Sequence, residues 1–150
     1  MSERAERRPV EILLVEDSES DVYLTRDALR DNKIQNKLHV AWDGEEAMEF
    51  LRRQGRHKDA PRPDVILLDL NLPKKDGREV LAEVKSDPDL KLIPVVIVTT
   101  SRDEADVLAT YGLHANCYIT KPIDLVQFTK MVKAIEGFWF EIVRLPPDGR

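Results

Sequence analysis

The chain is short of several things, and each shortage closes off a class of protein. It has one cysteine, Cys117, so no internal disulfide can form. That fits a reducing compartment. No apolar run approaches the length needed to span a bilayer. The N-terminal residues carry charge but lack the apolar stretch of a secretory signal. Positive charge is not in excess either: the formal net charge is -5, and the basic cluster near the N-terminus, Arg4, Arg7 and Arg8, is interleaved with Glu3 and Glu6. Surfaces that bind phosphate backbones show a basic excess or patch, so nucleic acid is not an expected partner. A membrane is not expected either. Internal repeats, low-complexity tracts and domain linkers are missing too. A cytoplasmic protein is expected.

What is present is an ordinary globular mix. The 150 residues are 42% hydrophobic and 34% charged, enough for one domain whose core needs no covalent staple. Residues 1–10 read as a flexible tail.

Three continuous apolar runs stand out: Ile12-Leu13-Leu14-Val15, Val65-Ile66-Leu67-Leu68 and Val95-Val96-Ile97-Val98. They are rich in β-branched residues and do not alternate, the pattern of strands buried on both faces of a parallel sheet. Leu38-His39-Val40-Ala41 partly alternates and suits an edge strand. Cys117-Tyr118-Ile119 reads as a fifth strand, stopped by Pro122. Helical stretches lie between them. Ser18 caps one running to about Asn32, with Asp21 in its first turn. Ala47, Met48 and Leu51 share a face of the second, and Val80, Leu81 and Val84 of a third. A fourth, with a poorer stripe, covers Arg102 to Tyr111. In the last, Phe128, Met131, Val132, Ile135, Trp139, Ile142 and Val143 recur at three- and four-residue steps. Strand and helix alternate five times, which predicts a parallel sheet with right-handed crossovers and helices on both faces.

Ligands of such sheets bind outside the carboxyl ends of the strands. The residues that follow the three buried runs, Glu16-Asp17, Asp69 and Thr99-Thr100-Ser101, fall on that edge. Glu16, Asp17 and Asp69 would repel one another there, and burial would raise the cost. Such a group calls for a cation, and hard oxygen ligands suit Mg2+. The backbone carbonyl of Asn71 can join them. Lys121, after the fifth strand, can swing back towards Asp69 and pair with a phosphoryl oxygen, while Thr99 can donate a hydroxyl to another. Phosphoryl transfer needs mainly positioning and charge neutralisation, and a carboxylate is an accepted nucleophile for it. Taken singly, each feature has a plainer reading. An acidic pair after a strand usually starts a helix, many strands end in Asp, and a lysine before proline is usually a solvated turn residue. All of them following successive strands at one edge is what favours chemistry.

With those residues in place, the sequence resembles the receiver domain of two-component response regulators from roughly Glu11 to Gly137. The resemblance is carried by Leu14-Val15-Glu16-Asp17, Ala41-Trp42-Asp43-Gly44-Glu45-Glu46-Ala47, Asp69-Leu70-Asn71-Leu72-Pro73-Lys74-Lys75-Asp76-Gly77, Thr99-Thr100 and Tyr118-Ile119-Thr120-Lys121-Pro122. It implies a flavodoxin-like (βα)5 fold with strand order 2-1-3-4-5 and a receiver domain over residues 11–137. It implies Asp69 as phosphoacceptor for a sensor histidine kinase, and Mg2+ on Glu16, Asp17, Asp69 and the Asn71 carbonyl. Thr99 becomes the switch hydroxyl, Tyr118 the switch aromatic and Lys121 the phosphoryl-binding lysine, with a cis peptide between Lys121 and Pro122. The plain alternative for Tyr118 is a packed aromatic. One departure is Glu16, where many members have Asp; the longer side chain can reach a metal through water. A narrower resemblance, in Asn71 to Leu81, His114 to Lys121 and the Phe138-Trp139 ending, is to regulators that serve phytochrome-type kinases.

Residues 138–150 extend past a short receiver as a prolonged C-terminal helix and tail. Phe138, Trp139, Phe140, Ile142 and Val143 are many large apolar groups for one exposed segment, and aromatics favour interfaces. A homodimer burying them is expected; the alternative is a helix folded back on its own domain. Leu145 to Arg150 is expected to be extended or disordered. With no output domain in the sequence, signalling is expected through the receiver surface. Three rivals remain. A flavodoxin-like electron carrier would place its flavin phosphate against the acidic Glu16-Asp17-Ser18-Glu19. An Asp-nucleophile phosphatase would need an Asp where Asn71 stands. A pseudo-receiver would bind proteins without taking phosphate.

Overall fold

The computed structural model describes residues 9–30, 35–100, 115, 117–121, 123 and 126. Five parallel strands form one sheet: β1 (Val10–Val15), β2 (Asn36–Ala41), β3 (Val65–Asp69), β4 (Val95–Thr99) and β5 (Cys117–Thr120), in the order β2-β1-β3-β4-β5. This is the expected doubly wound arrangement. The edge strand β2 starts two residues earlier than its apolar pattern suggests, because pairing with β1 begins at Val10 opposite Asn36. Backbone pairing extends the strand where side-chain patterning gives no signal.

The continuous apolar runs are explained by a core on each side of the sheet. Along β1, Ile12 and Leu14 join Val65, Leu67, Val96, Val98 and Ile119 on one face. Leu13 and Val15 join Ile66, Leu68, Val95 and Ile97 on the other. Alternate residues point to opposite faces, so a strand covered on both sides must be apolar at every position. Burying each such side chain contributes roughly 1.5–3 kcal/mol before the entropy of ordering the chain is subtracted.

Helix α1 (Glu19–Arg30) covers the first face through Val22 and Leu29. It begins where the Ser18 hydroxyl accepts from the Asp21 backbone N–H at 3.3 Å. Helices α2 (Gly44–Arg52) and α3 (Gly77–Ser86) cover the second. The expected faces are the buried ones: Ala47, Met48 and Leu51, joined by Phe50, in α2, and Val80, Leu81 and Val84 in α3. The Asp43 carboxylate caps α2 by accepting from the Glu46 N–H at 2.8 Å. Asp76 and Glu79 form a reciprocal capping box on α3. The stretches expected as a fourth helix from Arg102 and as the last helix, with the apolar ending Phe138, Trp139, Phe140, Ile142 and Val143, lie outside the described residues. Among the described residues no helix is long and apolar enough to cross a membrane.

Candidate functional site

The register of the sheet brings the acidic residues together. Val15 pairs with Leu68, so the residues that follow them, Glu16 and Asp69, leave adjacent strands side by side at the carboxyl edge. Both are almost fully buried. Asp17, the next residue, is exposed. One carboxylate oxygen from each of Glu16, Asp17 and Asp69 lies within 4.8 Å of the others.

Lys121 returns from the end of β5 to the middle of this group. Its Nζ donates to Asp69 Oδ2 at 2.8 Å and to Asp21 Oδ2 at 2.9 Å, and lies 2.9 Å from Glu16 Oε1. The second oxygens of Asp69 and Glu16 are also held. Asp69 Oδ1 accepts from the Asn71 backbone N–H at 2.9 Å, and Glu16 Oε2 from the Ser18 N–H at 3.2 Å.

The charges do not balance. Burial pushes the Glu16 carboxyl from its ordinary 4.5 up to about 7; the hydrogen bond from Lys121 opposes the rise and the Asp69 charge adds to it. Burial also works against the Lys121 ammonium, but hydrogen bonds to Asp69, Glu16 and Asp21 outweigh it and hold the lysine above its usual value. Among the described residues one ammonium faces Glu16, Asp21 and Asp69, with Asp17 beside them, so negative charge remains in excess. Oxygen donors, close spacing and uncompensated charge fit a small divalent cation such as Mg2+.

The loop from β3 to α3, which carries Asn71, is gripped at both ends by close backbone approaches. A Cβ on Gly77 would overlap the Asp69 carbonyl oxygen and the Leu70 Cα, and one on Gly44 would overlap the Lys75 carbonyl. Between them Lys74 adopts a left-handed backbone, φ 65°.

Of the other expected site residues, Thr99 closes β4 in register with Thr120 at the same edge, and its hydroxyl falls outside the described atoms. Tyr118 sits on β5 opposite Ile97, half-buried against the core that holds Leu68 and Ile97. Pro122 is not among the described residues, so the Lys121-Pro122 peptide lies outside them too. The sequence reading missed one member of the site: Asp21, taken only as a favourable charge in the first turn of α1. The available signal was its place in the first turn of α1, directly after the strand-end pair Glu16-Asp17.

The model of the response regulator receiver domain matches residues 12–133. Response regulator Rcp1 of Synechocystis sp. is 56% identical over 138 residues, covering 92% of this chain and 94% of that protein. The structure of the Mn(2+)-bound form of Rcp1 aligns with TM-score 0.72 over 92% of this chain and 99% of that one. The phosphorylated cyanobacterial phytochrome response regulator RcpA is 51% identical, TM-score 0.73, over 93% of this chain and 99% of its own. The bacteriophytochrome response regulator AtBRR is 42% identical, TM-score 0.81, over 88% and 96% respectively.

Proposed function

The chain belongs to the response regulator receiver domain family, and from that membership we propose that it takes a phosphoryl group from a sensor histidine kinase onto Asp69. The observation that carries the proposal is a nearly buried Asp69 carboxylate 2.8 Å from the Lys121 ammonium, inside a group of acids fit for a cation.

In this reading a carboxylate oxygen of Asp69 attacks the phosphorus of a phosphohistidine. The new O–P bond forms as the N–P bond breaks, and the departing imidazole keeps the electron pair and takes up a proton. Asp69 is thus the nucleophile and the product site, and no separate substrate is turned over. Glu16, Asp17, Asp69 and the Asn71 backbone carbonyl hold Mg2+, which neutralises charge on the phosphoryl oxygens. Lys121 pairs with one phosphoryl oxygen. Thr99 donates its hydroxyl to another, and Tyr118 changes its packing as Thr99 moves. Phosphorylation then biases a two-state surface towards one arrangement.

The similarity to the phytochrome response regulator RcpA and the bacteriophytochrome response regulator AtBRR supports a phytochrome-type kinase as the partner. We place the receiver at residues 11–137, a tail at 1–10 and a dimerising extension at 138–150, in a cytoplasmic protein. A hydrodynamic mass of one chain at micromolar concentration would count against the homodimer.

The decisive test is intact mass after incubation with acetyl phosphate, with and without Mg2+, on the wild type and on Asp69→Asn. One phosphoryl group gained only with both Mg2+ and Asp69 is the expected result. A folded wild type that gains none with its cognate kinase would identify a phosphate-independent binding module instead.

A further inference from the structure

An ammonium has three N–H donors, and three carboxylates stand within 2.9 Å of Lys121 Nζ: Asp69, Glu16 and Asp21. The three acceptors are not equivalent. Glu16 and Asp69 belong to the acidic group whose oxygens converge within 4.8 Å, and Asp21 does not. On the functional reading above, on which this inference rests, Asp69 becomes an acyl phosphate and Glu16 is committed to a cation. Both therefore change what they can offer Lys121 during a single event. Asp21 changes nothing.

Asp21 is also fixed by the helix that carries it. Its backbone N–H is capped by the Ser18 hydroxyl at 3.3 Å, and the next residue, Val22, donates to the Ser18 carbonyl at 3.0 Å and packs into the core. The carboxylate is thus carried by the first turn of a packed helix, while Lys121 carries a long side chain with much rotamer freedom to lose. A fixed anion is what such a side chain needs to stay over Asp69 when its other two partners are withdrawn.

We infer that Asp21 is a positioning residue: its carboxylate tethers the Lys121 ammonium over Asp69 through the phosphorylation event, without itself touching metal or phosphoryl group. The inference has an opposite that can be measured. If Asp21 were merely one more negative charge near the site, removing it would ease the approach of an anionic phosphoryl donor and speed uptake.

The test uses the full chain as wild type, Asp21→Asn, Asp21→Ala and Asp21→Glu. The first readout is the labelling rate of Lys121 by an amine-acylating reagent in metal-free protein, followed by peptide mass spectrometry. The second is the rate of phosphoryl uptake from acetyl phosphate with Mg2+. For Asp21→Asn and Asp21→Ala, loss of one charge-assisted hydrogen bond should raise labelling and slow uptake, each about tenfold. Asp21→Glu, which keeps the charge, should restore most of both. Unchanged labelling, unchanged or faster uptake, or Asp21→Asn behaving as wild type would each overturn the inference. Asp21 is on the partly exposed first turn, side chain 31% exposed, so the variants should fold, and the near-isosteric Asn guards against a merely structural effect. If the wild type takes up no phosphoryl group from acetyl phosphate or from its cognate kinase the functional reading fails, while the labelling contrast still decides whether Asp21 holds Lys121.

Discussion

Lys121 meets Glu16 beneath the carboxyl edge of the sheet, and Lys75 meets Glu83 where the loop after β3 lies along α3. The pairs use the same two side chains, but the Glu16 side chain is 3% exposed and that of Glu83 30%. Burial drives Glu16 up to about 7 in spite of its lysine. Glu83 goes the other way: hydrogen bonding to Lys75 outweighs a weaker burial effect and holds it below the usual carboxylate range. Arg52 of α2 adds to that outer pair at 3.2 Å. Desolvation, not the presence of a partner, sets the sign. The outer pair is settled and trims the surface. The inner one is left with unspent charge, which is the condition in which a group of acids can respond to a cation or a phosphoryl group.

The comparison can be broken most forcefully at Lys121. Lys121→Met removes the one ammonium from among Glu16, Asp21 and Asp69, and stranding buried carboxylates should destabilise the metal-free protein by about 3–5 kcal/mol. Urea unfolding at pH 8 measures this, and millimolar Mg2+ should recover part of it if the acids bind the ion. An unchanged midpoint would mean that the three contacts contribute no net stability.

A smaller effect sharpens the contrast through pH. Between its ordinary 4.5 and its folded value of about 7, Glu16 keeps a proton in the folded protein that the unfolded chain has already released. Stability of the metal-free protein should therefore fall as pH rises through that window, by on the order of 2–3 kcal/mol. Glu16→Gln should flatten this dependence. A melting temperature that rises with pH across the same range would show that Lys121, not burial, controls Glu16. Glu83, with its folded value lowered, contributes stability that is present above the ordinary carboxylate range and lost as the pH drops through the lower folded value.

The smallest effect belongs to that outer pair. Glu83→Gln should lower the melting temperature by only about 1–3 °C, and the difference should vanish in high salt. A loss as large as that of Lys121→Met would erase the distinction between the two pairs.

The same distinction explains what the sequence disclosed. The strands were legible because burial on both faces demands unbroken apolar runs, as in β1, β3 and β4. The site was legible because its residues follow those runs, so that Glu16, Asp17, Asp69 and Lys121 could be assigned to one edge before any coordinates. Asp21 was not, because an acid in the first turn of a helix is favoured on local grounds alone and its second partner lies a hundred residues away. The early start of β2 escaped for a related reason: Asn36 and Lys37 are placed by backbone pairing with Val10 and Glu11, which leaves no trace in side-chain type. The two glycine contacts were unreadable for the same cause, since a close backbone approach is visible only from the neighbour that makes it.

Those glycines have a consequence for anyone who reads this protein through its inactive variants. Gly77 lies against the backbone of Asp69, which on the proposed function carries the nucleophile, and any larger side chain there must push that backbone aside. A collection of loss-of-signal alleles would therefore gather at Gly77 as readily as at Asp69. On that proposal an allele of the first kind would spoil aim, leaving every reacting atom in the chain, and one of the second kind would remove the acceptor. Only the first should admit second-site revertants, in residues that let the loop settle back.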